Sequence, residues 1–305
     1  MNDNDHIDYV KRESIDIAKW DHCIDKAHNG LIYAYSVYLD NMAKQWDALI
    51  LNDYEAVMPM TWNKKWGIKY LYQPALTPQL GIFSSTNISE KIIGAFMKEI
   101  NFHFRFAEIF FNYNNYYPSF SIHHNFILHL NRPYNELSSY YEKDLQKNLK
   151  RADRFHFIYT TTYNLKKALS LHQEQYKNRT PYMLDKDYAH FQKLCFQLIQ
   201  TKEAMIRAIL DEENELLSIA LLLQKRNRIY LIESTTTDKG RKMQANHFLL
   251  DAIIREFAGK DITLDFVGSD IPGIAHFYEN FGSGDQPYFF YRFNHLPWPI
   301  RLFKK

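Results

Sequence analysis

The chain has 305 residues, 46% of them apolar and 16% aromatic, which at about 100–200 residues per domain predicts two units, each able to bury a core without disulfide or metal staples. With 37 basic against 35 acidic side chains the formal charge is +2, so bulk electrostatics names no nucleic-acid or membrane partner, and any such partner needs a local patch. Cys23 and Cys195 are too few for a disulfide framework or a metal cluster and read as free packing residues.

The N-terminal stretch MNDNDHIDYVKRES is polar. It has no apolar signal core, and no later run approaches the roughly 20 apolar residues of a spanning helix, so a cytoplasmic protein without membrane insertion is expected. Trp20 to Ala27 and Tyr35 to Met42 then read as short helices. The runs from Trp46 to Asn52 and from Ala56 to Thr61, joined by the polar turn at Asp53, read as a hairpin. Ile92, Ile93, Phe96, Met97 and Ile100 mark one face of an amphipathic helix, and Phe106 to Phe111 is a buried-type strand.

The second half repeats that order. Leu165 to Tyr176 and Asp187 to Leu198 predict helices, Met205 to Leu210 a strand, and Asp211 to Asn214 its turn; strands follow over Leu216 to Gln224 and Arg228 to Glu233. Phe248, Leu249, Ala252, Ile253 and Phe257 form a helical stripe, and Ile262 to Val267 a strand. The two stripes are offset by 156 residues, from Ile92 to Phe248, and the two turns by 158, from Asp53 to Asp211. An agreement this ordered predicts an internal duplication. Between the halves, Tyr134 to Phe155 predicts one helix with Leu145, Leu149 and Ala152 on its apolar face and Lys143, Lys147, Lys150, Arg151 and Arg154 as a basic stripe, read foremost as a solvated surface and otherwise as a grip on phosphates. His123 and His124 have no ligand partners at suitable spacing, and no metal is expected.

Two segments of the last third carry a resemblance: DKGRKMQANHFLL from Asp238 to Leu250, and IAHFYENFG from Ile274 to Gly282. A meander of strands, such a turn, an amphipathic helix, a strand and a second helix resemble the GNAT acyltransferase superfamily. The whole chain resembles the Fem-type aminoacyl transferases, which are tandem GNAT-like domains. The resemblance implies an α/β architecture of mixed sheets with flanking helices, in two tandem GNAT-like domains: residues 1–133, a degenerate copy, and 134–305, with the acyl-donor site.

By the same resemblance, Gly240, Arg241, Lys242, Met243, Gln244 and Ala245 form the loop and helix start that bind the pyrophosphate of acyl-coenzyme A, with Gly240 allowing the turn, Ala245 leaving room for phosphate, and Arg241 and Lys242 adding charge. The segment departs from the family pattern at Gly240, where an Arg or Gln is usual, and at Met243, where a Gly is usual. Tyr278 corresponds to the family's tyrosine beside the donor sulfur. A phenol of pKa near ~10 can protonate a leaving thiolate, which makes it the candidate general acid. Glu233, at the end of a central strand, is the first candidate base, followed by Asp265 and His276. The expected reaction is N-acyl transfer from acyl-coenzyme A, acetyl-coenzyme A for instance, to an amine on a small molecule, sugar or peptide, by direct attack. The alternatives are aminoacyl transfer from charged tRNA to a peptidoglycan precursor, and a non-catalytic binding protein that keeps the fold.

Overall fold

The computed structural model describes residues 5–161, 164–176, 183–298 and 300–303 and divides into two compact units, residues 1–123 with 287–305 and residues 124–286. The sequence put the division at 133/134 with everything after it in one piece. It falls instead between His123 and His124, and the C-terminal tail belongs to the first unit.

In the first unit, strands β1 (Ile7–Val10), β2 (Gln45–Leu51), β3 (Ala56–Lys65), β4 (Ile68–Tyr72), β5 (Phe83–Ser84), β6 (Phe106–Phe111) and β7 (Ser121–His123) accompany helices α1 (Ile17–Lys26), α2 (Ser36–Met42) and α3 (Glu90–His103). The hairpin predicted around Asp53 is β2–β3, with Leu51 opposite Ala56. Ala56 to Met60 are all buried, which is why this run is continuously apolar rather than alternating. Ser89 caps α3 by accepting from the Ile92 N–H, and Ile93, Phe96 and Ile100 turn its apolar stripe into the core. Strands β4 and β6 pair in parallel at Leu71–Ala107 and Tyr72–Glu108. Past that contact the opening is filled by the chain itself: Gln73 accepts from the Phe110 N–H, and Leu80 bridges Phe111.

The second unit contains β8 (Phe126–His129), α4 (Tyr134–Ser139), α5 (Lys143–Ala152), β9 (Ile158–Thr161), α6 (Leu165–Tyr176), α7 (Asp185–Gln200), β10 (Ala204–Leu210), β11 (Leu216–Lys225), β12 (Arg228–Thr236), α8 (Asp238–Lys242), α9 (Ala245–Phe257), β13 (Thr263–Asp265), α10 (Pro272–Glu279) and β14 (Gly284–Asp285). Its sheet runs β14-β8-β13-β12-β11-β10-β9, with β12 and β13 parallel and the other pairs antiparallel. The helix predicted over Tyr134 to Phe155 is broken into α4 and α5. The break lets Tyr141 point inward, where its hydroxyl and that of Tyr134 donate to Asp251 at 3.0 and 2.7 Å, while the Glu142 N–H bonds the Asn280 carbonyl.

The last strand, β15 (Tyr288–Asn294), lies in the first unit's sheet, whose order is β1-β2-β3-β4-β6-β15-β7. It pairs with β6 over six residues, from Phe289–Phe111 to Asn294–Phe106. In each sheet the place after the parallel pair is thus taken by β15 or β8, the strand that the repeated order would assign to the other half. Phe289 and Tyr291 of β15 are buried in the first unit's core. Phe289→Ala is therefore expected to cost about 3–5 kcal/mol in urea unfolding followed by tryptophan fluorescence. A loss below about 1 kcal/mol would show that β15 contributes little to that core.

Candidate active site

Strands β12 and β13 are hydrogen-bonded only at Arg228–Thr263, Ile229–Leu264 and Tyr230–Asp265. A buried ion pair sits at this junction: Arg228 Nε donates to Asp265 Oδ2 at 2.8 Å, Arg228 Nη2 to Gln286 at 2.6 Å, and the Val267 N–H to Asp265 Oδ1 at 2.8 Å. Beyond Tyr230 the two strands part, and β12 bulges at Ile232, the extra residue between Leu231–Leu222 and Glu233–Leu221. A cavity of about 580 Å³ lies by the far half of β12, lined by Ser234 and Thr236, by Gln175 of α6, Arg241 of α8, Gln244, Asn246 and His247 at the start of α9, and Phe277 of α10.

Hydrogen bonds hold the cavity walls in place. The Thr236 carbonyl accepts from Arg241 Nη1 at 2.6 Å and from Gln175 Nε2 at 2.8 Å, tying the end of β12 to two helices. Ser234 donates to Asn246 Oδ1 at 2.8 Å, and the Ser218 and Thr236 hydroxyls meet at 2.9 Å. Gln244 adopts a left-handed conformation, φ +63°. That reversal ends α8 and starts α9 afresh, so the positive end of a 13-residue helix forms one wall. Arg241, which also pairs with Asp238, is the one charged side chain among the described lining residues. The cavity therefore favours an anion.

His247 is held neutral. Burial lowers its imidazolium to about 4, in the direction that a helix N-terminus also favours. Its Nε2 lies 3.3 Å from the Asn148 amide nitrogen of α5. With that amide donating to Nε2, the proton resides on Nδ1.

Residues 140–288 match the family model described as an acetyltransferase (GNAT) domain. The second unit is a GNAT acyltransferase domain. Over nearly the whole chain the fold is similar to solved structures. FemX aligns with TM-score 0.65 and 13% identity over 95% of this chain and 98% of that one. A conserved protein of unknown function from Bacteroides thetaiotaomicron aligns with 0.57 and 10% over 93% and 99%. The C-terminal domain of a protein described as a lysylphosphatidylglycerol synthetase, from Agrobacterium fabrum, aligns with 0.55 and 8% over 95% and 94%. At these identities the likeness is one of fold. No curated protein matches the sequence.

Of the residues expected at the site of this GNAT domain, Arg241 and Gln244 line the cavity. Lys242 is exposed outside that lining. Met243 faces a separate hollow of about 250 Å³ with Arg154, Phe155 and Lys239. Ala245 is fully buried in the apolar core. Gly240 has an ordinary helical backbone, and its requirement is space: a Cβ there would stand 2.2 Å from the Leu217 carbonyl oxygen. Tyr278 packs in an aromatic group, stacked on Phe266 with ring centroids 4.6 Å apart, beside the cavity-lining Phe277.

Glu233 lies away from the cavity. It pairs across the sheet with Leu221, whereas Ser234 pairs with Ala220 and faces α9, so the two side chains leave opposite faces. Its carboxyl is enclosed with His172 and Cys195, and among the described residues neither oxygen has a hydrogen bond. His172 Nδ1 stands 3.3 Å from Oε1, but burial pushes the carboxyl well above its ordinary range and lowers the imidazolium to about 4. Both shifts disfavour an ion pair here. Asp265 is engaged by Arg228, and His276 is exposed beside Glu279. Sequence reasoning passed over Asn246 and His247, although both lie inside the quoted segment. Phe277 likewise lies inside the second quoted segment, whereas Ser234, Thr236 and Gln175 carried no signal, because only the fold brings them together.

Two predictions follow from this packing. Gly240→Ala must displace backbone at Leu217 and is expected to cost about 1–3 kcal/mol, read in thermal or urea unfolding; an unchanged midpoint would contradict the close approach. Glu233→Gln keeps the shape and removes the ionisation. Because the folded pKa of Glu233 is raised, its contribution is complete below the unfolded value near 4.5 and is lost as pH rises through the folded one. The variant should therefore gain melting temperature relative to wild type as pH rises from 5 to 8. A pH-independent difference would mean that Glu233 is ionised in the fold.

Proposed function

We propose that the GNAT domain transfers an acyl group from acyl-coenzyme A, acetyl-coenzyme A being the simplest donor, to an amine on a small molecule, sugar or peptide. The observation that carries this reading is the cavity where β12 parts from β13, walled by the start of α9 and by Arg241. Arg241, Gln244 and the first-turn N–H groups of α9 would hold the donor's phosphates. The edge of β12 beyond Tyr230, unpaired with β13, offers backbone groups to an extended amide-bearing chain.

In the transfer, the amine nitrogen, deprotonated by water, bonds to the acyl carbon; the C–S bond breaks and the thiolate takes a proton. Tyr278 is the proton donor in this reading. His247 presents Nδ1–H to the carbonyl oxygen as negative charge develops there. The base role expected for Glu233 is not carried forward, since its carboxyl lies on the other face of the sheet. The first unit, whose corresponding opening is filled by Gln73 and Leu80, would be the copy without a donor site.

The second reading, an aminoacyl-tRNA donor, draws on one observation. The exposed basic face of α5 borders the cavity through the Asn148–His247 contact. Calorimetry with acetyl-coenzyme A separates the two. Binding by wild type that weakens about tenfold in Arg241→Ala, near 1.4 kcal/mol, supports the first. Absence of wild-type binding, with salt-sensitive tRNA binding lost on neutralising Lys147, Lys150 and Arg151, supports the second.

A further inference from the structure

The tip of the β3–β4 hairpin breaks three local rules at once. Lys65 pairs with Ile68, so Trp66 and Gly67 form a two-residue turn with φ values of +51° and +82°. Such a turn favours Asn before Gly, and a bulky side chain in the left-handed region is strained. Trp66 is nevertheless there and is 70% exposed. Next to the tip, Lys64 lies directly opposite Lys69, a like-charge pair that destabilises a hairpin. No acidic residue occurs from Ala56 to Ser89. Among the described residues the lysines meet rings rather than carboxylates: Lys65 over Trp66 at 4.8 Å and Lys69 over Trp62 at 3.9 Å.

A second exposed aromatic adjoins this charge. Phe102, in the last turn of α3, is 82% exposed and stands edge-on to His103. Burial disfavours the imidazolium of His103, Glu99 favours it, and the charge of Lys69 is near enough to add to the lowering. Glu99 lies 3.7 Å from His103. Strain at Trp66, repulsion between Lys64 and Lys69, and exposure of both rings each disfavour the isolated surface. A single kind of partner relieves all three, one with negative charge in a layer and an apolar phase beneath it.

We propose that this hairpin tip, with Phe102, docks on an anionic lipid bilayer, Trp66 and Phe102 entering the interface and Lys64, Lys65 and Lys69 meeting lipid phosphates. The hairpin would act as a peripheral contact, through side chains rather than a spanning segment. It brings the whole chain to a surface, and its occupancy is read without any catalytic assay.

The test is co-sedimentation of the full chain at low salt with vesicles of phosphatidylcholine alone and of equal parts phosphatidylcholine and phosphatidylglycerol. Binding to the mixed vesicles, falling with added salt and at least tenfold weaker to phosphatidylcholine, is expected. Reversing the three lysines to Glu should abolish it. Trp66→Asn is the decisive variant, because it relieves the turn. It should raise the melting temperature yet weaken vesicle binding about tenfold, so that misfolding cannot account for the loss. No binding to mixed vesicles, binding unchanged in the lysine-reversed or Trp66→Asn protein, or retention of single-stranded RNA in place of vesicles would overturn the proposal.

Discussion

Three residue pairs of parallel sheet between β12 and β13, fixed by the buried Arg228–Asp265 ion pair, are the constraint on which the rest of the second unit depends. Were the pairing longer, the strands would close on each other and the far half of β12 would be a sealed central strand. Because it stops at Tyr230, the edge of β12 is open and α9 can begin beside it. Removing either ionic partner would leave a buried charge uncompensated, a loss of about 3–5 kcal/mol, so the junction is held by an interaction that tolerates little change. The bulge at Ile232 acts on the same strand: it sets which of Glu233 and Ser234 faces the cavity.

The first unit starts from the same arrangement and ends differently. Its parallel pair, β4 with β6, is also short, yet the chain after β4 folds back into the gap and its polar groups are satisfied by Gln73 and Leu80. An opening occupied by backbone cannot admit a ligand. The two halves therefore share a topology and differ in where the segment after the parallel pair's first strand runs. The placement of β8 and β15 in the two sheets makes each half incomplete by itself, since each sheet lacks the strand that the repeated order would supply.

Electrostatics at the site is set by burial as much as by charge. His247 and Glu233 are close in sequence but answer to different surroundings. His247 is kept neutral at a helix start on the cavity, where a neutral imidazole can donate a hydrogen bond. Burial on the other face of the sheet favours the protonated form of Glu233, away from the cavity lining. A carboxylate at the end of a central strand looks catalytic in a sequence, and here one residue of bulge and the alternation of the strand turn it inward.

The sequence by itself determined the element order, the duplication, the core stripes of α3 and α9, and the segment from Asp238 to Leu250 as the place where a helix begins near β12. These follow from local periodicity and turn chemistry, which residues near one another in the chain decide. It also singled out Arg241 and Gln244, which line the cavity. Tertiary structure decided the break at Tyr140 between α4 and α5, the return of β15 to the first sheet, the facing of Glu233, and the reason for Gly240, which is the Leu217 carbonyl pressed against it. It alone gathered Gln175, Ser234, Asn246, His247 and Phe277 around one cavity. Each of these depends on contacts between residues far apart in the chain or on a one-residue shift in register. Local pattern is blind to both, because a slip of one residue in a strand leaves composition unchanged and exchanges its two faces.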